Sequence, residues 1–148
     1  MIDSSFRARA TIDLRALKKN FLQVSAHCPE SQIVPVIKAN AYGHGVEKVA
    51  LALNAMHRKC AALAVASMEE AIQLRTLGLS TPILLLSGFR DKVEMDLCLN
   101  NKIEPVIHSM YQVEEIDKYL QTEIPTGVGR VWVKFNSGMN RLGFDKEQ

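Results

Sequence analysis

The sequence predicts an α/β protein built on a parallel sheet, and three observations lead to this prediction. Five short segments of strand character recur along the 148 residues, starting near residues 33, 61, 82, 104 and 131. Each is predominantly apolar, as strands covered on both faces are. Segments with helical spacing separate them, and this alternation favours parallel strands joined by right-handed crossovers. Periodicity alone leaves open whether the sheet is open or closed into a barrel.

The first elements are predicted from capping and periodicity. Residues 9–13 form a short strand candidate, and Asp13 is suited to cap a helix over about residues 14 to 27, where apolar residues recur at helical spacing. Ile33 to Ile37 is the first strand of the repeating pattern. Gly45 precedes a second helix, which we expect over about residues 46 to 57.

The later elements continue the same alternation. After a strand over residues 61–66, Ser67 is placed to cap a helix with Glu70 at the capping-box position, and Gly78 ends that helix. The remaining predictions are a strand over residues 82–86, a helix over 91–100, a strand over 104–107, a helix over 109–120 and a strand over 131–135.

Composition and charge limit the function classes. The chain is 47% hydrophobic and 23% charged, the balance of a soluble globular domain, and its net charge is only +2. The charges are interspersed, so no nucleic-acid or membrane partner is indicated. The widely separated Cys28, Cys60 and Cys98 fit reduced thiols rather than a disulfide or zinc site. With a polar N-terminus and no apolar run of about 18 residues, we expect a cytoplasmic protein.

The segment that follows the first strand contains the residues of greatest chemical interest. Lys38 follows Ile37 directly, and Tyr42, Gly43 and Gly45 come shortly after it. In α/β folds, ligands lie at the carboxyl ends of strands. On residue type alone, however, most lysines at such an edge are simply solvated. A dinucleotide-binding turn is not favoured, because the two glycines lack the third one that the G-x-G-x-x-G pattern requires.

Residues 36–45, Val-Ile-Lys-Ala-Asn-Ala-Tyr-Gly-His-Gly, resemble the pyridoxal-phosphate lysine motif of bacterial alanine racemases. Segments 9–17, 64–71 and 134–144 match the same family in the expected order. The resemblance implies a fold-type III (β/α)8 TIM-type barrel, of which this chain holds about the first five β/α units. Because family members are more than twice this length, we expect residues 1–148 to be the N-terminal part of the barrel domain, without the remaining barrel strands and the C-terminal β domain.

The resemblance also implies roles for five residues. Lys38 matches the lysine that binds pyridoxal 5'-phosphate as a Schiff base and then acts as the base for the D-side proton. Tyr42 matches a tyrosine that contacts the cofactor phosphate, and Leu86 a leucine beside the cofactor ring. Arg141 matches the arginine that hydrogen-bonds the pyridoxal phenolic oxygen near the substrate carboxylate, a role suited to its permanently charged fork of donors. Lys134 matches a lysine that is carbamylated in many members.

Residue type alone leaves alternatives open at several of these positions. On residue type alone, a loop aromatic at the barrel rim is the favoured interpretation of Tyr42. Leu86 fits equally a core leucine, and Lys134 an unmodified lysine at a strand end. His44 between its two glycines invites a general-base role, but a structural hydrogen bond is favoured. Asn136 begins Asn-Ser-Gly-Met where the family commonly has Asp-Thr-Gly-Met, which keeps polar groups but loses a charge.

The resemblance thus implies a pyridoxal-phosphate-dependent alanine racemase that interconverts L-alanine and D-alanine to supply peptidoglycan synthesis. It also implies a homodimer when full length, and no metal is expected. In the family, the second base is a tyrosine of the other subunit, and its counterpart lies beyond residue 148. Two alternatives remain: a truncated, inactive fragment, and a related pyridoxal-phosphate barrel protein such as an amino-acid decarboxylase or a cofactor-homeostasis protein. The residues after Lys38 and the segment Met139 to Gly143 favour the racemase.

Overall fold

The centre of the molecule is a parallel sheet. The computed structural model describes residues 8–56, 58–122 and 129–145. Its four strands are hydrogen-bonded in sequence order, and every neighbouring pair is parallel. In order they are β1 (Leu63–Val65), β2 (Ile83–Leu85), β3 (Ile103–Ile107) and β4 (Trp132–Val133).

The first predicted strand is present as an edge strand of this sheet, but its pairing is interrupted. Ile33 and Val36 each form an isolated parallel bridge to the segment that contains β1. The Ile37 amide donates to the Ala64 carbonyl at 2.8 Å, and the Ala64 amide donates to the Pro35 carbonyl at 2.9 Å. Because Pro35 has no N–H, it cannot donate to the ladder. The predicted five parallel segments are therefore confirmed, with the first one discontinuous.

The helices separate the strands as predicted. They are α1 (Leu14–His27), the short turn α2 (Lys38–Tyr42), α3 (Val46–Asn54), α4 (Met68–Thr76), α5 (Lys92–Asn100) and α6 (Met110–Thr122). Asp13 caps α1 through its carboxylate, which accepts the Arg15 and Ala16 amides. The strand expected over residues 9–13 is wrong, since described residues 8–13 have no strand conformation. Its residues suit a strand, but none of the described strands pairs with it.

Two apolar layers cover the sheet. Alternate residues of a strand point to opposite faces, so Leu63, Val65, Ile83 and Leu85 pack with the helices in the larger core. The opposite face carries a smaller cluster, the inner cluster, which consists of Ala62, Ala64, Leu84 and Val106 with partly buried Val34 and Leu86. Burial on both faces explains why β1 and β2 are continuous apolar runs. It also holds the strand ends, and hence the residues that follow them, in fixed positions.

No helix in the described ranges combines the length and the apolar content needed to cross a bilayer.

Candidate functional site

Three of the predicted site residues lie at one edge of the sheet. Lys38 comes immediately after the first segment, Leu86 immediately after β2, and Lys134 immediately after β4. Since all these segments are parallel, their carboxyl ends meet at the same edge. Arg141 lies in the loop after β4, so β1, β2 and β3 stand between it and Lys38 in the order of the sheet. The structure therefore places Lys38 and Arg141 on the same side of the sheet, where the strands end, but on the first and the last of the parallel segments.

Lys38 is anchored on a buried residue. Its neighbour Ile37 is only 3% exposed and belongs to the larger core, while the Lys38 side chain is half-buried. Within the described parts of the chain, its amine makes no hydrogen bond or ion pair. Buried Ile37 thus fixes the backbone at Lys38, and no carboxylate of the described residues pairs with the amine.

The residues after Lys38 form one turn of left-handed helix. Ala39, Asn40, Ala41 and Tyr42 have φ of 51°, 54°, 53° and 53°. The turn is closed by hydrogen bonds from the Ala41 amide to the Ile37 carbonyl at 2.9 Å and from Gly43 to Ala39 at 3.1 Å. For L-residues this conformation costs about 1–2 kcal/mol each, and it normally occurs at single positions. Such strain persists only where surrounding contacts compensate it, and it concentrates at functional sites.

Polar groups within the motif stabilise this turn. The Asn40 side-chain oxygen accepts the Val46 amide at 2.8 Å, while the Asn40 carbonyl accepts the Gly45 amide at 3.0 Å. His44 Nδ1 lies 2.8 Å from the Ala41 carbonyl. Because a carbonyl only accepts, Nδ1 is the donor. The structural role predicted for His44 is therefore confirmed.

Glu70 contacts the candidate site, and sequence reasoning missed this contact. The predicted capping box is confirmed, with the Ser67 hydroxyl accepting the Glu70 amide and the Glu70 carboxylate accepting the Ser67 amide, both at 3.3 Å. The same carboxylate also accepts the Ala39 amide through Oε1 at 2.6 Å and the Ala66 amide through Oε2 at 2.9 Å. The capping-box pattern was the available signal, but it points only to the helix and not to the turn beside Lys38.

Tyr42 and Leu86 present different surfaces near the edge. Tyr42, the last residue of the left-handed turn, is 59% exposed, and its hydroxyl has no hydrogen-bond partner among the described residues. Leu86 is half-buried against the inner cluster, and its amide donates to the Val65 carbonyl at 2.9 Å. Leu86 thus offers an apolar surface and Tyr42 a solvent-facing hydroxyl.

The loop that carries Arg141 closes on itself. Phe135 and Phe144 form an isolated parallel bridge, and their rings lie 6.4 Å apart between centroids. The Phe144 amide donates to the Lys134 carbonyl at 2.9 Å, and the Asn136 amide donates to the Phe144 carbonyl at 2.8 Å. The Lys134 amide donates in turn to the Ile107 carbonyl of β3 at 2.9 Å. These contacts attach the base of the loop to the sheet.

Asn136 organises the interior of this loop. Its side-chain oxygen accepts the amides of Gly138 at 3.1 Å and Asn140 at 3.0 Å. Its side-chain nitrogen donates to Asn140 Oδ1 and to Asp145 Oδ1, each at 2.8 Å. An aspartate cannot donate these two hydrogen bonds. The departure from the common Asp-Thr-Gly-Met pattern is therefore matched to this loop rather than being a simple loss of charge.

Arg141 lies on an open groove of about 340 Å³ lined by Asn136, Asn140, Arg141, Leu142, Gly143 and Asp145. Its side chain is exposed and forms no ion pair with any residue that the structure describes. Lys134 is half-buried at the start of this loop. Across the described ranges, no three His, Cys, Asp or Glu side chains are grouped so that they could hold a metal ion.

The sequence matches known proteins over almost its whole length. Residues 12–148 match the family model described as alanine racemase, N-terminal domain. The alanine racemase of Vibrio parahaemolyticus is 43% identical over 141 residues, which are 95% of this chain and 37% of that protein. The alanine racemase of Coxiella burnetii is 39% identical over 142 residues, again with 37% of its length covered.

Solved structures agree with the sequence matches. The alanine racemase of Acinetobacter baumannii superposes with a TM-score of 0.80 at 43% identity, over 91% of this chain and 39% of that one. The enzyme of Bartonella henselae, described with covalently bound pyridoxal phosphate, gives a TM-score of 0.79 at 32% identity over 92% of this chain and 37% of that one. The predicted fold class, part of an α/β barrel, is confirmed. The chain spans little more than a third of the length of these relatives, and it belongs to the alanine racemase family, to whose N-terminal domain it corresponds.

Proposed function

We propose that this chain forms the lysine-bearing side of a pyridoxal-phosphate-dependent alanine racemase that interconverts L-alanine and D-alanine. The observation that carries the proposal is the position of half-buried Lys38 at the carboxyl end of the parallel sheet, next to a strained turn that neighbouring groups hold in place. Residues 1–148 then correspond to the N-terminal part of the barrel domain. The relatives named alanine racemase favour this function over a decarboxylase or a cofactor-homeostasis protein.

The side chains at this edge fit pyridoxal phosphate. The cofactor needs an amine for its aldehyde, an apolar surface for its ring and donors for its oxygens. Lys38 supplies an amine that no described residue engages, and half-buried Leu86 supplies apolar surface. Tyr42 and Arg141 offer an exposed hydroxyl and an exposed guanidinium. We assign the phosphate to Tyr42 and the phenolic oxygen and substrate carboxylate to Arg141.

Each residue has a defined part in the proposed reaction. When bound, pyridoxal phosphate supplies the electron sink that makes the α-proton of an amino acid acidic enough to leave. Lys38 would hold the cofactor through its amine, and the same amine would take and return the α-proton of the bound amino acid on one face. Arg141 donates hydrogen bonds that orient the substrate, and Leu86 excludes water from one side. A carbamate on Lys134 would present an acceptor at the base of the Arg141 loop and so position the arginine.

Racemisation needs a proton donor and acceptor on both faces of the substrate, and the residues assigned above supply one face. We propose that the second base comes from the other subunit of a homodimer. In this proposal the enzyme works in the cytoplasm and its D-alanine is used for peptidoglycan. The weak net charge of +2 and the interspersed charges support a small-molecule substrate rather than a nucleic-acid or membrane partner.

Covalent trapping tests the assignment of Lys38. The protein is incubated with pyridoxal 5'-phosphate, reduced with borohydride and digested, and the modified lysine is located by mass spectrometry. We expect modification concentrated at Lys38 and abolished in Lys38→Ala, because Lys38 is the amine assigned to the cofactor. Lys48→Ala is the matched control, since Lys48 is an exposed lysine of α3. Labelling spread evenly over exposed lysines would contradict the assignment.

A further inference from the structure

We propose that Glu70 is a positioning residue for Lys38, whose carboxylate fixes the left-handed turn by tying it to the end of the neighbouring strand β1. The importance of this position for the cofactor rests on the function proposed above. The contacts themselves do not depend on it.

The geometry joins two segments that are distant in sequence. Glu70 Oε1 accepts the Ala39 amide at 2.6 Å across a separation of 31 residues. Oε2 accepts the Ala66 amide at 2.9 Å, immediately after β1. Ala39 is both the residue next to Lys38 and the first residue of the left-handed turn. One side chain from α4 therefore connects the backbone beside Lys38 to the backbone at the end of β1.

Only a carboxylate can make this connection. An ionised Glu side chain has two acceptor oxygens and no donor, so each oxygen can face backbone N–H groups. A Gln at the same position has one oxygen and one NH₂ group. It could still complete the capping box, but its NH₂ would then face the Ala39 amide, which is also a donor. Glu70→Gln thus separates the link to Ala39 from the capping of α4.

A purely structural role as a helix cap is the competing explanation, and Ser67 tests it. The Ser67 hydroxyl accepts the Glu70 amide at 3.3 Å and forms the other half of the capping box. Removing this hydroxyl weakens the start of α4 without deleting either carboxylate oxygen of Glu70. Ser67→Ala is therefore a matched control for any effect that passes through helix stability.

The experiment measures the turn and the lysine separately. Amide hydrogen exchange of Ala39 is followed by NMR in the unmodified protein, Glu70→Gln, Glu70→Asp and Ser67→Ala. Trapping at Lys38 by pyridoxal 5'-phosphate and borohydride is compared in the same four proteins, with exposed Lys48 as the internal reference. Glu70→Asp keeps the charge but is one methylene shorter, and it serves as the second variant should Glu70→Gln fail to fold.

We expect Glu70→Gln and Glu70→Asp to accelerate exchange at Ala39 about tenfold and to lower selective trapping at Lys38 by a similar factor, because a hydrogen bond to a charged acceptor is lost. Ser67→Ala should leave both readouts close to those of the unmodified protein. The proposal is overturned by unchanged Ala39 exchange in both Glu70 variants, or by an equal effect of Ser67→Ala. If the unmodified protein shows no preference for Lys38, the cofactor assignment fails, while the exchange comparison still decides the role of Glu70.

Discussion

The two ends of the candidate site are held in place in different ways. At the Lys38 end, the turn is fixed by groups of the motif itself and also by Glu70 of α4, at a separation of 31 residues. At the Arg141 end, the loop interior is ordered by Asn136, whose side-chain partners lie within nine residues of it. Arg141 itself is exposed.

Burial follows the same division. Ile37 beneath Lys38 is in the larger core, whereas Phe135 and Met139 near Arg141 are 69% and 75% exposed. The lysine is therefore positioned by tertiary contacts of the sheet and its helices. The arginine is positioned by a loop whose interior is ordered by its own residues and whose base is attached to the sheet by Lys134 and by buried Phe144. Substitutions in the two regions should consequently have different effects. Those near Lys38 should lower the stability of the folded core, and those near Arg141 should mainly change the local stability of the loop.

Gly143→Ala should have the largest effect on local stability, because the added methyl group would disrupt the contacts that close the Arg141 loop. A Cβ at Gly143 would lie 2.7 Å from the Asn136 nitrogen and 2.9 Å from the Phe135 carbonyl carbon, at a φ of +119°. We expect the pairing of Phe135 with Phe144 to be lost, at a local cost of about 2–3 kcal/mol. Amide exchange of Phe144 measures this loss.

Gly138→Ala is the control for that substitution. Gly138 has nearly the same φ of +122°, but nothing lies within 4 Å of its added Cβ. It should therefore show the conformational penalty without the steric one. Equal exchange at Phe144 in the two variants would show that the close approach at Gly143 does not hold the loop.

Asn40→Ala should have the next largest effect, on the stability of the whole domain. It removes the acceptor for the Val46 amide at the start of α3. It also places alanine, which adopts a left-handed conformation less readily than asparagine, at a φ of 54°. We expect the free energy of unfolding to fall by about 1–2 kcal/mol in urea denaturation. Asn40→Gly keeps the left-handed conformation accessible and should lose less. A larger loss for glycine than for alanine would contradict this account of the turn.

Asn136→Asp should have the smallest effect at neutral pH, about 1 kcal/mol, and the effect should depend on pH. The new carboxylate loses two donated hydrogen bonds and lies beside Asp145. Repulsion between the two carboxylates would raise the pKa of the new group in the folded state, so the penalty is present near pH 7 and diminishes as the pH falls below about 4. Exchange of Asn140 measured at both pH values checks this. A penalty that does not change with pH would exclude the repulsion.

Much of the fold and part of the site were predictable because they depend on local patterns. Apolar periodicity located the alternating strands and helices, and the capping residues Asp13, Ser67 and Glu70 were recognised from their spacing. Lys38 was recognised from a motif, and its place at the strand end followed from the preceding apolar run. The strand expected over residues 9–13 was wrong because strand character is realised only where another strand is available to pair.

The sequence by itself determined which segments form strands and helices and which chemical groups follow the strands, because apolar periodicity and capping are local patterns along the chain. Only the tertiary structure decided the left-handed turn after Lys38, the second use of the Glu70 carboxylate and the donor role of Asn136. Ala39, Ala41 and Tyr42 have no intrinsic preference for a positive φ. The turn combines local hydrogen bonds, such as that from the Ala41 amide to the Ile37 carbonyl, with the contact from the Ala39 amide to the Glu70 carboxylate of α4, and no local pattern records that last contact.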